Sequence, residues 1–169
     1  WESHLTGIMN TLVPEKDIPS HQGPDAQSVD PSFNVITSAV KVPETLSHLH
    51  YWNVQLTRKT DKEEVLDAFN KSTRIAMIKY SDELAANNTV KELMLAIGRP
   101  YGDMYEVALW QDMLKVVGDE VFYAYLVDNQ AIVIPETIDA IRALTGIEPD
   151  AEKSILKTNE SLGVKQSFY

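Results

Sequence analysis

The sequence contains no cysteine. That removes disulfides, zinc–thiolate centres and any thiol nucleophile from within these residues. It is compatible with a cytosolic protein, which is the expectation here. Glycine is scarce as well, at seven in 169 residues, and nothing resembles G-x-G-x-x-G or a P-loop, so no phosphate-cradling glycine loop is read. Positive charge is in short supply: 15 Lys and Arg stand against 25 Asp and Glu, a net charge of −10. Nucleic acid and anionic membrane both require a basic surface, so neither is expected as a partner. No apolar run approaches the roughly 20 residues that span a bilayer. The first residues, W-E-S-H-L-T-G-I-M-N-T-L-V-P, lack the basic start and clean apolar stretch of a signal peptide. The chain opens at Trp1 rather than a methionine, and the expectation is that something upstream has been left out.

What is present suits one globular domain with its own core, at 44% hydrophobic content. Residues 1 to 33 are rich in Pro, Gly, Ser and Asp, with a short apolar run at 8 to 13, and read as a packed surface loop. Residues 34 to 42, N-V-I-T-S-A-V-K-V, are strand-like and end at Pro43. A second strand follows at once, so an antiparallel pair is expected. Thr60 and Glu63 match a capping box that opens an amphipathic helix with Val65, Leu66 and Phe69 inside. Residues 74 to 80 read as a strand. A helix then runs to Ile97 with Val90, Leu93, Met94 and Ile97 inward, stopped by Gly98 and Pro100. Met77, Met94 and Met104 read as core filler. Three strands follow in a meander at 105–110, 113–117 and 120–127, turning at Gln111-Asp112 and Gly118-Asp119. Pro135 opens a helix closed by Gly146, and a last helix stops at Gly163. The sum is an α+β domain, a largely antiparallel β-sheet covered by helices.

The stretch that carries chemistry is 43 to 56, P-E-T-L-S-H-L-H-Y-W-N-V-Q-L. With period two, Leu46, His48, His50, Trp52, Val54 and Leu56 share one strand face. Imidazoles among apolar neighbours must find hydrogen-bond partners, and an ordinary pKa of about 6.5 suits them to proton transfer. Three readings stand side by side: hydrogen-bonded structural residues, a general base or acid, and an H-x-H metal pair. No third metal ligand has recognisable spacing, so no metal site is assigned. On the early loop, His21 and Gln22 are candidates for ligand contact, with a solvated loop as the simpler account. Asn129 and Gln130 sit where a strand breaks before a helix; their amides can meet a ligand carboxamide, or simply form a turn.

The order of segments resembles the archaeal-type, or type II, glyceraldehyde-3-phosphate dehydrogenases. The resemblance rests on G-I-M-N-T-L-V-P (7–14), P-S-H-Q-G-P-D (19–25), V-P-E-T-L-S-H-L-H (42–50), I-P-E-T-I-D-A-I-R-A (134–143) and T-N-E-S-L-G (158–163). It runs in register over essentially the whole chain and covers the C-terminal, catalytic half of that enzyme. It implies that residues 1–169 form one catalytic domain, with the N-terminal Rossmann domain and the nucleophilic cysteine (in an S-C-N-T-T stretch) lying before Trp1. His48 falls on the family's proposed catalytic base, with His50 as a supporting neighbour. His21 and Gln22 fall on the His-His pair that contacts the substrate phosphate. Asn129 falls on the glutamine that contacts the nicotinamide. Gln22 and Asn129 depart from the pattern, as does Thr137, which replaces an Asn. The resemblance further implies NAD or NADP as cofactor, glyceraldehyde 3-phosphate and inorganic phosphate as partners, a homotetramer and a cytoplasmic location. From the residues alone, a non-catalytic ligand-binding or oligomerisation domain stays open beside the enzyme.

Overall fold

The computed structural model describes residues 11–44 and 47–169. Leu46 and the start of the apolar run at 8 to 13 lie outside the described residues. The chain divides into two compact units, Trp1–Thr45 and Leu46–Tyr169.

In the first unit, strand β1 (Val13–Pro14) pairs antiparallel with β2 (Val40–Lys41), and helix α1 spans Gln22–Val29. Of the strand expected at 34 to 42, only β2 forms, and its partner is β1 rather than the histidine strand. The reason lies in Ser20 and Thr37. Ser20 is buried, and its N–H donates to the Thr37 carbonyl at 2.8 Å. The Thr37 hydroxyl donates to the Ser20 carbonyl at 2.9 Å and accepts the Gly23 N–H at 3.1 Å. A side chain that bonds locally to backbone competes with a ladder. A Cβ on Gly23 would stand 2.9 Å from the Thr37 hydroxyl oxygen, so the approach needs glycine.

The second unit is built on a five-stranded sheet: β3 (Ser47–Gln55), β4 (Ile75–Ile78), β5 (Val107–Trp110), β6 (Lys115–Val117) and β7 (Glu120–Asp128). The spine is β7. It pairs antiparallel along its whole length with β3, and on its other edge with β5 and then β6. Only β4 and β5 run parallel, which requires a crossover; helix α3 (Asn87–Ala96) lies in that connection. Four further facts correct local expectations. The cap of helix α2 (Lys62–Asn70) is Asp61, whose carboxylate accepts the Glu64 N–H, while the Thr60 hydroxyl donates to the Glu64 side chain. Gln111 and Asp112 form a 3-10 turn instead of a hairpin, because the Asp112 carboxylate is spent on the Tyr80 N–H at 2.7 Å. Ile97 is exposed at the end of α3. The histidine strand lies outside the core, with Leu49 and Tyr51 exposed on its other face.

The core cluster joins Ile78, Val90, Met94, Met104, Ala108, Trp110, Ala124 and Leu126. Each large side chain buried this fully contributes about 1.5–3 kcal/mol. Helices α4 (Ile134–Thr145) and α5 (Ala151–Leu162) begin and end as their punctuation dictates. Pro135 sits in the first turn of α4, and Gly146 and Gly163 take left-handed backbone at the two exits.

Ion pairs, the Arg99–Glu106 pair buried among them, fasten these helices and the tail. The Arg99 guanidinium donates to both oxygens of Glu106 at 2.6 Å and to the Gly163 carbonyl at 2.8 Å, while the Lys165 N–H donates to Glu106 at 2.7 Å. Arg74 reaches Glu136 at 2.9 Å, Asp139 at 2.5 Å and Asn159 at 2.9 Å. Asp139 also accepts from Ser154 and Thr158.

Candidate functional site

The pairing of β3 with β7 places His48 opposite Val127, His50 opposite Tyr125 and Trp52 opposite Tyr123. Directly opposed residues share a face, so the alternation expected of the histidine strand stands. The rings form a row. His48 and His50 are 5.7 Å apart and close to perpendicular, at 74°. His50 lies nearly flat on Tyr125, at 4.9 Å and 16°. Trp52 stacks between Tyr125 and Tyr123 at 6.3 Å from each, and Phe69 of α2 meets Tyr123 edge-on at 5.2 Å. Below these rings, Val54, Leu56, Val65, Ala68, Phe69, Val121 and Tyr123 line an apolar cavity of about 250 Å³, with Arg58 and Glu64 at its rim.

Exposure grades along the row. His48 is exposed, whereas His50 and Trp52 are half-buried. Burial, and then the neighbouring His48, pushes the His50 imidazole below its ordinary value, so this ring is neutral near pH 7. Burial, and then Tyr125, raises the Tyr123 hydroxyl to about 12. Burial also raises Tyr125, partly offset by the nearby Trp52 indole. That indole N–H is itself buried; the Tyr125 hydroxyl lies near it, but no acceptor among the described residues stands in full hydrogen-bond geometry.

Asn129 follows immediately after β7. Ser47 is opposite Asp128, so Asn129 emerges at the His48 end of the strand pair, two residues past Val127 and therefore about 7 Å further along. Its side chain is exposed. The turn that presents it is built by Asp128, which is buried and accepts the N–H groups of Gln130 at 2.9 Å and Ala131 at 3.0 Å. Asp128 also pairs with the Lys91 ammonium. Burial alone would raise this carboxyl; Lys91 and the two backbone donors outweigh it and hold the carboxyl below its ordinary value. Neither Asp128 nor Lys91 is singled out by the sequence reading. The signal available was an Asp one residue before a strand break, where Asx turns form. Tyr123 and Tyr125 were missed as well, although their spacing in E-V-F-Y-A-Y-L-V-D puts them on one face.

His21 and Gln22 lie in the first unit. His21 is exposed at the entry to α1 and makes no side-chain cap bond. Gln22 is half-buried, and its carbonyl oxygen stands 2.6 Å from the Ser20 hydroxyl. That contact occupies the acceptor end of the amide and leaves its nitrogen as the donor end. Among the described residues no group of three or more His, Cys, Asp or Glu side chains could hold a metal ion. No helix among them is long and apolar enough to cross a membrane.

Residues 6–113 match the family model described as glyceraldehyde 3-phosphate dehydrogenase, C-terminal domain. Curated relatives carrying the name glyceraldehyde-3-phosphate dehydrogenase are similar over nearly the whole chain. The protein of Methanobrevibacter smithii is 38% identical over 159 residues, covering 94% of this chain and 47% of its own length. That of Methanococcus maripaludis is 40% identical over 162 residues, 94% of this chain and 47% of its own. That of Metallosphaera sedula is 36% identical over 163 residues, 96% of this chain and 48% of its own. The chain thus spans about half the length of the curated relatives it matches. With the sheet, the histidine face and these matches together, the chain belongs to the C-terminal domain family of the glyceraldehyde 3-phosphate dehydrogenases.

Proposed function

We propose that this chain is the catalytic half of a phosphorylating glyceraldehyde-3-phosphate dehydrogenase. The whole protein would convert glyceraldehyde 3-phosphate, NAD or NADP, and inorganic phosphate to 1,3-bisphosphoglycerate, the reduced dinucleotide and a proton. The observation that carries this reading is the exposed His48 imidazole standing at the strand end where the Asn129 turn emerges.

His48 acts as general base. It takes the proton of the thiol as the sulfur attacks the aldehyde, returns that proton to the alkoxide oxygen to give the hemithioacetal hydroxyl, and takes it back as hydride leaves. Phosphate then attacks the thioester carbonyl and the thiolate departs. A thiolate is a far stronger nucleophile than a thiol, and no thiol exists within these residues. The nucleophilic cysteine and a Rossmann domain belong to the remainder of the protein. A bound nicotinamide dinucleotide supplies the hydride acceptor. The exposed Asn129 amide fits its carboxamide, since it offers both a donor and an acceptor on a turn fixed by Asp128. His21 and the amide nitrogen of Gln22 would meet the substrate phosphate. With a glutamine at 22, that contact is a neutral hydrogen bond.

The face opposite His48 supports assembly into a homo-oligomer, a tetramer on this reading. Leu49, Tyr51, Val117 and Phe122 are exposed there. A domain serving only assembly or ligand binding is the competing account. Replacing His48 with Ala in the full-length protein and following the hydride-transfer burst separates the two. A burst as fast as wild type removes His48 from the mechanism.

A further inference from the structure

The row of rings ends at His48, and its second member has a role that the base chemistry leaves unassigned. We propose that His50 is the positioning residue for His48: clamped flat on Tyr125, it fixes the plane of the exposed imidazole beside it and stays outside the proton path. This rests on His48 being the base.

Three observations carry it. The first is the contrast in restraint between the two imidazoles. His48 is exposed, and the ring contact recorded for it is the near-perpendicular one with His50, at 5.7 Å. His50 is half-buried and stacked within 16° of the Tyr125 plane. An exposed side chain hops between rotamers on the picosecond to nanosecond scale unless something holds it, and His50 is the group placed to do so.

The second is continuity. Tyr125 is itself stacked on Trp52 and Tyr123, and Phe69 of α2 abuts Tyr123. Such aromatic pairs add to the stabilisation from their burial, so the surface under His50 is stiff. The third is protonation. The titratable groups in ring contact with His50 among the described residues are His48 on its own strand and Tyr125 on β7. Burial keeps His50 uncharged, so a proton arriving on His48 meets a neutral neighbour instead of a second cation.

The test is a double-mutant cycle in the full-length protein, read as the hydride-transfer rate, KM and the pH dependence of the rate. His50→Phe keeps a flat ring and removes both nitrogens. It should stay within about 3-fold of wild type and retain the ionisation seen in the pH–rate profile. His50→Ala removes the ring; it should slow the chemical step on the order of 10-fold to 100-fold, as expected for misoriented reacting groups, with KM within 2-fold. In a His48→Ala background both changes should have almost no further effect, because a group acting through His48 has nothing left to act on.

Should His50→Ala fail to fold, Tyr125→Leu carries the same expectation, since it leaves both imidazoles and takes away the surface beneath. The proposal is overturned if His50→Phe is as slow as His50→Ala and the ionisation disappears, which would make His50 the proton carrier. It is equally overturned if His50→Ala is harmless, or if its cost is undiminished without His48. A wild-type rate in His48→Ala alone would instead sink the base assignment, and the two failures are told apart by that variant.

Discussion

Around Arg99 and Glu106 almost every polar atom is spoken for: two charged groups are fully covered, bonded to each other twice over, and tied to the backbone of Gly163 and Lys165. Along the face of β3 the opposite holds. His48 is open to solvent, and the Trp52 indole N–H is covered with no well-aligned acceptor among the described residues. Arg74 and Asp139 extend the first pattern, and they draw Glu136 and Arg142 from I-P-E-T-I-D-A-I-R-A and Thr158 and Asn159 from T-N-E-S-L-G. The segments that make this chain most recognisable at its C-terminal end are therefore fasteners. The chemistry proposed for this chain falls on the loosely satisfied face, where groups remain available to a ligand. Saturated polar networks hold a fold; unsaturated ones leave room to act.

That contrast predicts a clean separation of effects. His48→Ala should lower hydride transfer by about 10²–10⁴-fold, while moving the unfolding midpoint hardly at all, because the side chain is exposed. Glu106→Gln should do the reverse. Leaving Arg99 buried without its charge partner should cost about 3–5 kcal/mol in denaturant unfolding, with the rate per folded molecule near wild type. If Glu106→Gln slowed chemistry more than unfolding, the division between the two regions would collapse.

Asp128 straddles the two regions, being a saturated buried carboxylate that shapes a site turn. Its folded-state pKa is depressed, so its contribution is present above its ordinary value of 3.8 and is lost as pH falls through the lower, folded value. Asp128→Asn should therefore be less stable than wild type at neutral pH by about 1–3 kcal/mol. The gap should narrow in acid below about pH 4, as thermal unfolding across pH would show. A gap independent of pH would mean that Lys91 and the turn do not depend on the charge. The smallest effect concerns the start of α2. Asp61→Ala should cost about 1 kcal/mol as a lost N-cap, and Thr60→Ala clearly less, measured by chemical denaturation of the same protein.

What could be read from the sequence was whatever is decided within a few residues. Pro135, Gly146, Asp150 and Gly163 bound their helices by local backbone preference, and the alternation of 48, 50 and 52 sets the face of β3 by geometry alone. The histidine face of the site was legible for that reason. Features decided at a distance were not. Thr37 withdraws the 34–42 run from a ladder by bonding to a residue 17 positions away. Lys91 reaches Asp128 across 37 positions. The parallel pairing of β4 with β5 depends on where a helix lands, which no window of sequence records. Thr60 misled because an adjacent Asp offered a better acceptor to the same helix start. His21 and Gln22 were named from their place on the early loop and given a phosphate role by resemblance; neither route could reveal that Ser20 bonds to the Gln22 amide.

The nine-rung pairing between β3 and β7 sets a rule for how this part of the protein can change length over evolutionary time. A strand has parity. Inserting or deleting one residue between Ser47 and its neighbours would carry His48 to the side that now shows Leu49 and Tyr51, and would send those side chains in among the tyrosines. Changes in steps of two would keep the face and only shift the reach of the imidazole along it. The strand can change only by even numbers while the proposed base keeps its place.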